Sequence, residues 1–248
     1  MKKIALLPHL FTTANLFAGF LALVSALAGH ITQASWAIFA AIVCDILDGR
    51  LARLTRSSSR FGMQYDSLCD MVSFGVAPGI LAYEFALKPY GRYGWLAAFV
   101  YVACTALRLA RFNVEEPGPS RYFKGLPSPA AAGLVAGTVI FLDHIGAIFP
   151  VKHLALILMI YSVSFLMISP WPYPSFKVLR FSEKEMSYLL PGMVVLFAIV
   201  ASEPKVMLFL AFLLYAALPP LKGLVLLFFP RLGTLRLRKA DKEEKRNI

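Results

Sequence analysis

Eight long apolar runs constrain this chain more than any other feature, because a polypeptide crossing lipid must satisfy its backbone polar groups internally. The runs are Leu10 to Ala28, Ala34 to Leu54, Met71 to Leu87, Tyr93 to Phe112, Pro129 to Phe149, Val151 to Ser169, Tyr188 to Ala201 and Lys205 to Leu218. A spanning helix needs about 20 predominantly apolar residues, and these runs cluster about that length. Only 16% of the 248 residues are charged, and the mean hydropathy is +0.67, too little charge to cover a soluble domain of this size. The expected fold is all-α: a polytopic transmembrane helical bundle of about eight spans. Residues 1–230 are expected to form one integral-membrane domain and 231–248 a basic cytoplasmic tail.

The basic residues orient this bundle. With both termini cytoplasmic, inner loops and tails hold 20 of the 25 Lys and Arg residues, including the arginines from Arg50 to Arg60 and seven basic residues from Arg231 to Arg246. Such a bias sets topology. The net charge of +11 then reads as orientation and attraction to anionic head groups, with no nucleic-acid partner. Lys2, Lys3 and the first run imitate a secretory signal, but Pro8, Thr12, Thr13 and Asn15 interrupt it with groups that a signal core does not need. Cys44, Cys69 and Cys104 lack CxxC spacing and read as small buried hydrophobes, and the four histidines form no metal-ligand pattern. Gly133 and Gly137 form a GxxxG that serves packing within the bundle more readily than a dimer seam.

Against this background the segment "DILDGRLARLTRSSSRFGMQYDSLCD" stands out. Asp45, Asp48, Asp66 and Asp70 are the only acidic residues among the first 83. Asp45 and Asp48 are spaced i, i+3 and Asp66 and Asp70 i, i+4, so each pair shares one helix face. An antiparallel hairpin turning at "TRSSSR" would bring the two faces together just inside the cytoplasmic boundary. Four converging carboxylates repel one another and need compensation. Ion pairing with Arg50, Arg53, Arg56 and Arg60 is one source; a hard divalent cation, which keeps positions open for substrate phosphates, is the other. Intramembrane acids in two facing pairs favour the functional reading. Gly49, Ala52 and Gly62 leave room for a ligand near the helix backbone, and Arg53 carries a planar fork suited to phosphate.

The pattern Asp45-x2-Asp48-Gly49-x2-Ala52-Arg53-x8-Gly62-x3-Asp66-x3-Asp70 resembles the full signature of the CDP-alcohol phosphatidyltransferase family. The resemblance implies metal-dependent transfer of a phosphatidyl group from CDP-diacylglycerol to an alcohol, with release of CMP. It implies that Asp45, Asp48 and Asp66, helped by Asp70, hold a pair of Mg²⁺ or Mn²⁺ ions, and that Asp70 acts as general base. It implies that Gly49, Arg53 and Ser59 contact the CDP moiety. The segment "LPHLFTTANLFAGF" is similar to a family stretch that contacts the nucleotide: Pro8, Thr12 and Asn15 fit, whereas His9 departs from the usual asparagine. Capping of a helix by Thr12 or Asn15 is the alternative for those polar residues.

The acceptor alcohol must be read elsewhere. "LRLARFNVEEPGPSRYFKGLPSPAAAG" resembles the stretch that marks the serine-using bacterial branch of the family. L-serine carries a carboxylate that Arg108 or Arg111 could take and Asn113 could orient, with Lys124 a weaker candidate; Arg108 and Arg111 are spaced i, i+3 at the cytoplasmic end of a span. Positive-inside anchoring is the alternative for each arginine alone. The expected partners are CDP-diacylglycerol, L-serine, membrane lipids and a second copy of the chain as a homodimer, in the cell inner membrane with the site facing the cytoplasm. A sister activity on glycerol 3-phosphate or an inositol phosphate stays open, since the same cations suit a phosphorylated acceptor. A UbiA-like prenyltransferase leaves Gly49, Ala52 and Arg53 unexplained. An ion or proton transporter predicts acids at mid-membrane and an inverted repeat, and neither is visible.

Overall fold

A computed structural model describes residues 6–55, 59–114, 122–146, 149–174 and 202–228. Among the described residues, seven long helices carry the fold: α1 (Leu6–Leu27), α2 (Ile31–Leu54), α3 (Arg60–Tyr90), α4 (Arg92–Val114), α5 (Ser128–His144), α6 (Phe149–Ile168) and α7 (Pro204–Phe228). α1, α2, α3, α4 and α7 are long and apolar enough to cross a membrane. The run from 188 to 201 and the tail 231–248 lie outside the described residues.

Outward-facing side chains agree with a lipid surround. Phe17, Phe20, Phe99 and Phe165 are each more than half exposed on the bundle's exterior, where a soluble protein would carry polar groups. The interior is built from small residues. Ala18, Ala22 and Ala26, at i, i+4 and i+8, form a stripe on α1 that meets Ala34, Ile38 and Ala41 of α2, letting the backbones approach closely. α5 is the central helix: every residue from Ala130 to Ile140 is buried. At 17 residues, or roughly 25 Å by helical rise, it is shorter than a typical span. Gly133 and Gly137 face Phe212 and Phe209 of α7, so the GxxxG packs within the chain.

Two departures from the sequence expectation matter for the site. The third span starts at Arg60 and not at Met71, so Asp66 and Asp70 lie inside a continuous helix and not at its beginning. Polar residues at Gln64, Asp66, Ser67 and Asp70 hide these 11 residues, about three turns, from a hydropathy reading. α3 also widens into π-helical turns at Met71–Val76 and Tyr83–Leu87; such turns release backbone carbonyls, and the buried Tyr101 hydroxyl donates to the Phe74 carbonyl at 2.9 Å.

The fold is also not purely helical. β1 (Tyr122–Lys124) pairs antiparallel with β2 (Pro172–Pro174), with Phe123 opposite Tyr173. Both segments lie in stretches rich in proline and aromatic residues, where no strand pattern shows in the sequence. The ribbon forms because Gly125 adopts a positive φ of 77°, and its amide donates to the Trp171 carbonyl at 2.9 Å. The Leu126 amide then donates to the Leu166 carbonyl at 3.0 Å, tying the chain to the end of α6 just before α5 begins.

Candidate active site

The α2–α3 hairpin delivers the aspartates. Ser59 opens α3 as its N-cap, accepting a hydrogen bond from the Gly62 amide at 2.9 Å, and this sets the helix start from which Asp66 and Asp70 are counted. Carboxylate oxygens of Asp45, Asp48 and Asp66 converge within 4.8 Å of one another. Asp48 is buried and the other two are half-buried. The donor set is all oxygen, as hard divalent ions require. Asp66 Oδ1 is buried with no hydrogen-bond partner among the described residues, an atom that a cation would satisfy. These residues therefore fit a divalent metal ion.

Asp70 stands apart from this trio. It is buried, and its Oδ1 accepts a hydrogen bond from Asn15 Nδ2 at 3.0 Å. Asn15 is itself fully buried in the middle of α1, and its carbonyl accepts from the Ser73 hydroxyl at 3.0 Å. Asn15 is thus held at both ends and aims its amide at Asp70. α1 begins at Leu6, so neither Asn15 nor Thr12, which is also buried, caps a helix. The sequence placed Asn15 with the nucleotide and did not foresee its bond to Asp70, because local spacing carries no signal between residues 55 apart on different helices.

All four aspartates line one cavity of about 1040 Å³. Gly49 lies on the same wall, where the lack of a side chain leaves the α2 backbone accessible. The lining also includes Arg108 of α4 and Ser128, the first residue of α5. The Arg108 Nη1 donates to Ser128 Oγ at 3.0 Å, while its Nε is buried with no partner among the described residues. An arginine fork so held keeps donor capacity for an anion. Asn113 also lines the cavity; its Oδ1 accepts from the Ser67 hydroxyl at 3.1 Å and its Nδ2 lies 3.5 Å from Gln64 Oε1.

Other candidates are not brought to the cavity. Arg111 is exposed and its Nη1 points to the Ile168 carbonyl at 3.4 Å, a cation at the C-terminal end of α6. Its i, i+3 relation to Arg108 still separates the two by a sixth of a turn, enough to give them different neighbours. Lys124 is exposed on β1, Ala52 is half-buried off the lining, and Ser59 is occupied as a cap. A Cβ on Gly62 would come within 3.0 Å of His9 Cε1, so Gly62 serves the approach of α1 to α3. The side chains of Pro8 and Arg53 lie outside the described residues. The sequence reading missed the wall supplied by Phe212 and Tyr215 of α7 and by Pro174 of β2.

Comparison with known proteins identifies the family. The sequence profile of the CDP-alcohol phosphatidyltransferase family matches residues 5–168, which includes every aspartate of the cluster. A CDP-diacylglycerol–serine O-phosphatidyltransferase of Helicobacter pylori (strain ATCC 700392 / 26695) is 35% identical over 185 residues, 74% of this chain and 78% of that protein. The enzyme so named from Bacillus subtilis (strain 168) is 34% identical over 171 residues, covering 69% of this chain and 91% of its own. The one from Saccharomyces cerevisiae is 40% identical over 141 residues, about half of each chain. A family profile covering most of the chain, together with carboxylates converging from two facing helices, leads to one conclusion: this membrane protein belongs to the CDP-alcohol phosphatidyltransferase family.

Proposed function

We propose that the chain transfers the phosphatidyl group of CDP-diacylglycerol to the hydroxyl of L-serine, giving phosphatidylserine and CMP. The observation that carries this reading is the single cavity with three converging carboxylates, a separately held Asp70 and the buried Arg108. The names of the relatives support serine as the acceptor. Asp45, Asp48 and Asp66 would hold Mg²⁺ or Mn²⁺. Bound there, a divalent ion supplies positive charge that neutralises the diphosphate and favours CMP as leaving group.

The chain's own residues divide the remaining work. The serine oxygen attacks the β-phosphorus of CDP-diacylglycerol, the bond to the CMP oxygen breaks, and the hydroxyl proton passes to the Asp70 carboxylate. The Asn15 amide holds Asp70 Oδ1 and leaves Oδ2 as the atom that takes the proton. Gly49 admits the diphosphate close to α2, with Arg53, Pro8, Thr12 and Ser59 as nucleotide-side candidates from the sequence. Arg108, steadied by Ser128, would take the serine carboxylate. Among described side chains only Arg50 and Arg108 bring positive charge to the lining; a doubly charged phosphate acceptor would call for more, which favours the small zwitterion.

The charge bias of the loops supports eight spans with both termini and the cavity's aspartate end at the cytoplasmic face of the inner membrane. The deciding experiment incubates purified protein with CDP-diacylglycerol, Mn²⁺ and labelled serine, glycerol 3-phosphate or inositol phosphate, and identifies the lipid formed. Phosphatidylserine as the main product is expected; a phosphorylated product in its place would overturn the reading of the acceptor.

A further inference from the structure

α7 contains two consecutive prolines, Pro219 and Pro220. A proline has no amide hydrogen, so each removes the donor that would serve the carbonyl four residues earlier. The carbonyls concerned are those of Tyr215 and Ala216, at the helical turn that faces the cavity. A buried carbonyl without a donor is costly, so such groups find a partner elsewhere. For Ala216 the partner is Tyr173, at the centre of β2: its hydroxyl donates to the Ala216 carbonyl at 2.9 Å. Tyr173 is completely buried, Ala216 is 3% exposed, and burial raises the pKa of the Tyr173 hydroxyl so that it stays a donor.

The same contact sets the cavity wall. Tyr215, one residue before Ala216, lines the cavity with Phe212 and Ala211, and its hydroxyl reaches the Pro174 carbonyl of β2 at 3.2 Å. The Tyr173 and Tyr215 rings lie 5.7 Å apart. Two turns further along α7, Trp171 packs over Gly223. β2 therefore grips α7 along the stretch that supplies Ala211, Phe212 and Tyr215 to the cavity lining, which Arg108 and Ser128 share. Residues 172–174 and all of α7 lie beyond the region matched by the family profile, so this wall is not accounted for by the family signature.

We propose that Tyr173 is a positioning residue for the acceptor: its hydroxyl, latched to the carbonyl that Pro220 leaves free, holds the Phe212–Tyr215 wall of α7 against the cavity and so sets the fit of the acceptor alcohol. The proposal rests on the reading of this cavity as the transferase site. Tyr173 touches no reacting atom and acts through α7. Replacing the hydroxyl by hydrogen leaves the Ala216 carbonyl without its donor, and α7 relaxes outward toward lipid with Tyr215 and Phe212. Returning an amide hydrogen at position 220 gives Ala216 a helical partner again and makes the hydroxyl dispensable.

The test is a double-mutant cycle on the full-length protein with Tyr173→Phe, Pro220→Ala and the pair, using the acceptor that the wild-type protein takes from the panel above. Tyr173→Phe should raise the KM for the acceptor about tenfold, the equivalent of one well-placed buried hydrogen bond, with kcat and the KM for CDP-diacylglycerol changed less than about twofold. Pro220→Ala alone should behave like wild type, and the double variant should recover the wild-type acceptor KM. An unchanged acceptor KM in Tyr173→Phe, or a double variant as impaired as Tyr173→Phe, overturns the latch. If Tyr173→Phe does not fold, a folded double variant with wild-type KM upholds the latch and an unfolded one overturns it. Wild-type protein that transfers to an alcohol other than serine contradicts the acceptor assignment alone, because the cycle is then read with that alcohol. Wild-type protein that transfers to none contradicts the transferase reading, and the latch falls with it.

Discussion

Asp70 and Asp66 differ by one helical turn, yet their surroundings differ. Asp66 joins Asp45 and Asp48, whereas Asp70 is held by the Asn15 amide. A general base contributes about 10²- to 10⁴-fold to rate. On the proposed assignment, Asp70→Asn should reduce turnover by that factor while metal and CDP-diacylglycerol binding, assigned to the trio, partly survive; titrations beside single-turnover kinetics separate the two. Binding lost in step with rate would make Asp70 a metal ligand first. The arginines should separate likewise. Arg108 is inside the cavity and Arg111 is at the end of α6. Arg108→Gln should raise the serine KM by more than about tenfold, the scale of a charge-assisted hydrogen bond. Arg111→Gln should shift it less than about threefold, with any loss appearing in thermal stability. Equal effects on KM would place both guanidiniums on the acceptor.

At the scale of elements, the segment from Gly125 to Pro129 is as much a joint as a binding motif. Gly125 takes a left-handed φ of 77°, and a Cβ there would collide with the Met167 carbonyl. Leu126 is fully buried, and Pro127 and Pro129 flank the first turn of α5, where missing amides cost nothing. Ser128 then stands where its hydroxyl meets Arg108. Gly125→Ala should therefore destabilise the protein by more than about 1 kcal/mol, seen as a lower midpoint of thermal unfolding in detergent. It should also raise the acceptor KM, because the joint carries Ser128. A melting midpoint equal to that of wild type would show that the joint relaxes without strain.

On the scale of the whole molecule, the site exists only because separate spans meet. α1 brings Asn15, α2 and α3 the aspartates, α4 Arg108, α5 Ser128 and α7 the facing wall. If a cation holds this cluster, as proposed, its removal leaves like charges facing one another within the bundle. Excess chelator should therefore abolish CMP release and lower the unfolding midpoint, and added Mn²⁺ should restore both. In Asp48→Asn the stabilisation by Mn²⁺ should disappear along with activity. CMP release that continues undiminished in chelator would rule out the metal.

Much of this was legible in the chain before any tertiary structure. Hydropathy alone determines that these are membrane helices, because only a helix satisfies its backbone in lipid, and the spacing of Asp45, Asp48, Asp66 and Asp70 determines that each pair shares a helix face. Local spacing carries that information because it depends only on helical periodicity. What spacing cannot carry is which faces of distant helices meet. The bond from Asn15 to Asp70 joins residues 55 apart, that from Arg108 to Ser128 spans a loop, and Arg111 leaves the cavity although it sits one turn from Arg108. The ribbon escaped notice for a related reason: three residues per strand are too few to show alternation, and its closing contact lies 43 residues away at Ala216. Pro219 and Pro220 left the end of the last span undefined in the sequence; the structure shows them inside α7, where two carbonyls need other donors. Only the packing of β2 on α7 decided that Tyr173 would be one of them, since a freed carbonyl takes whichever buried donor the fold brings within reach.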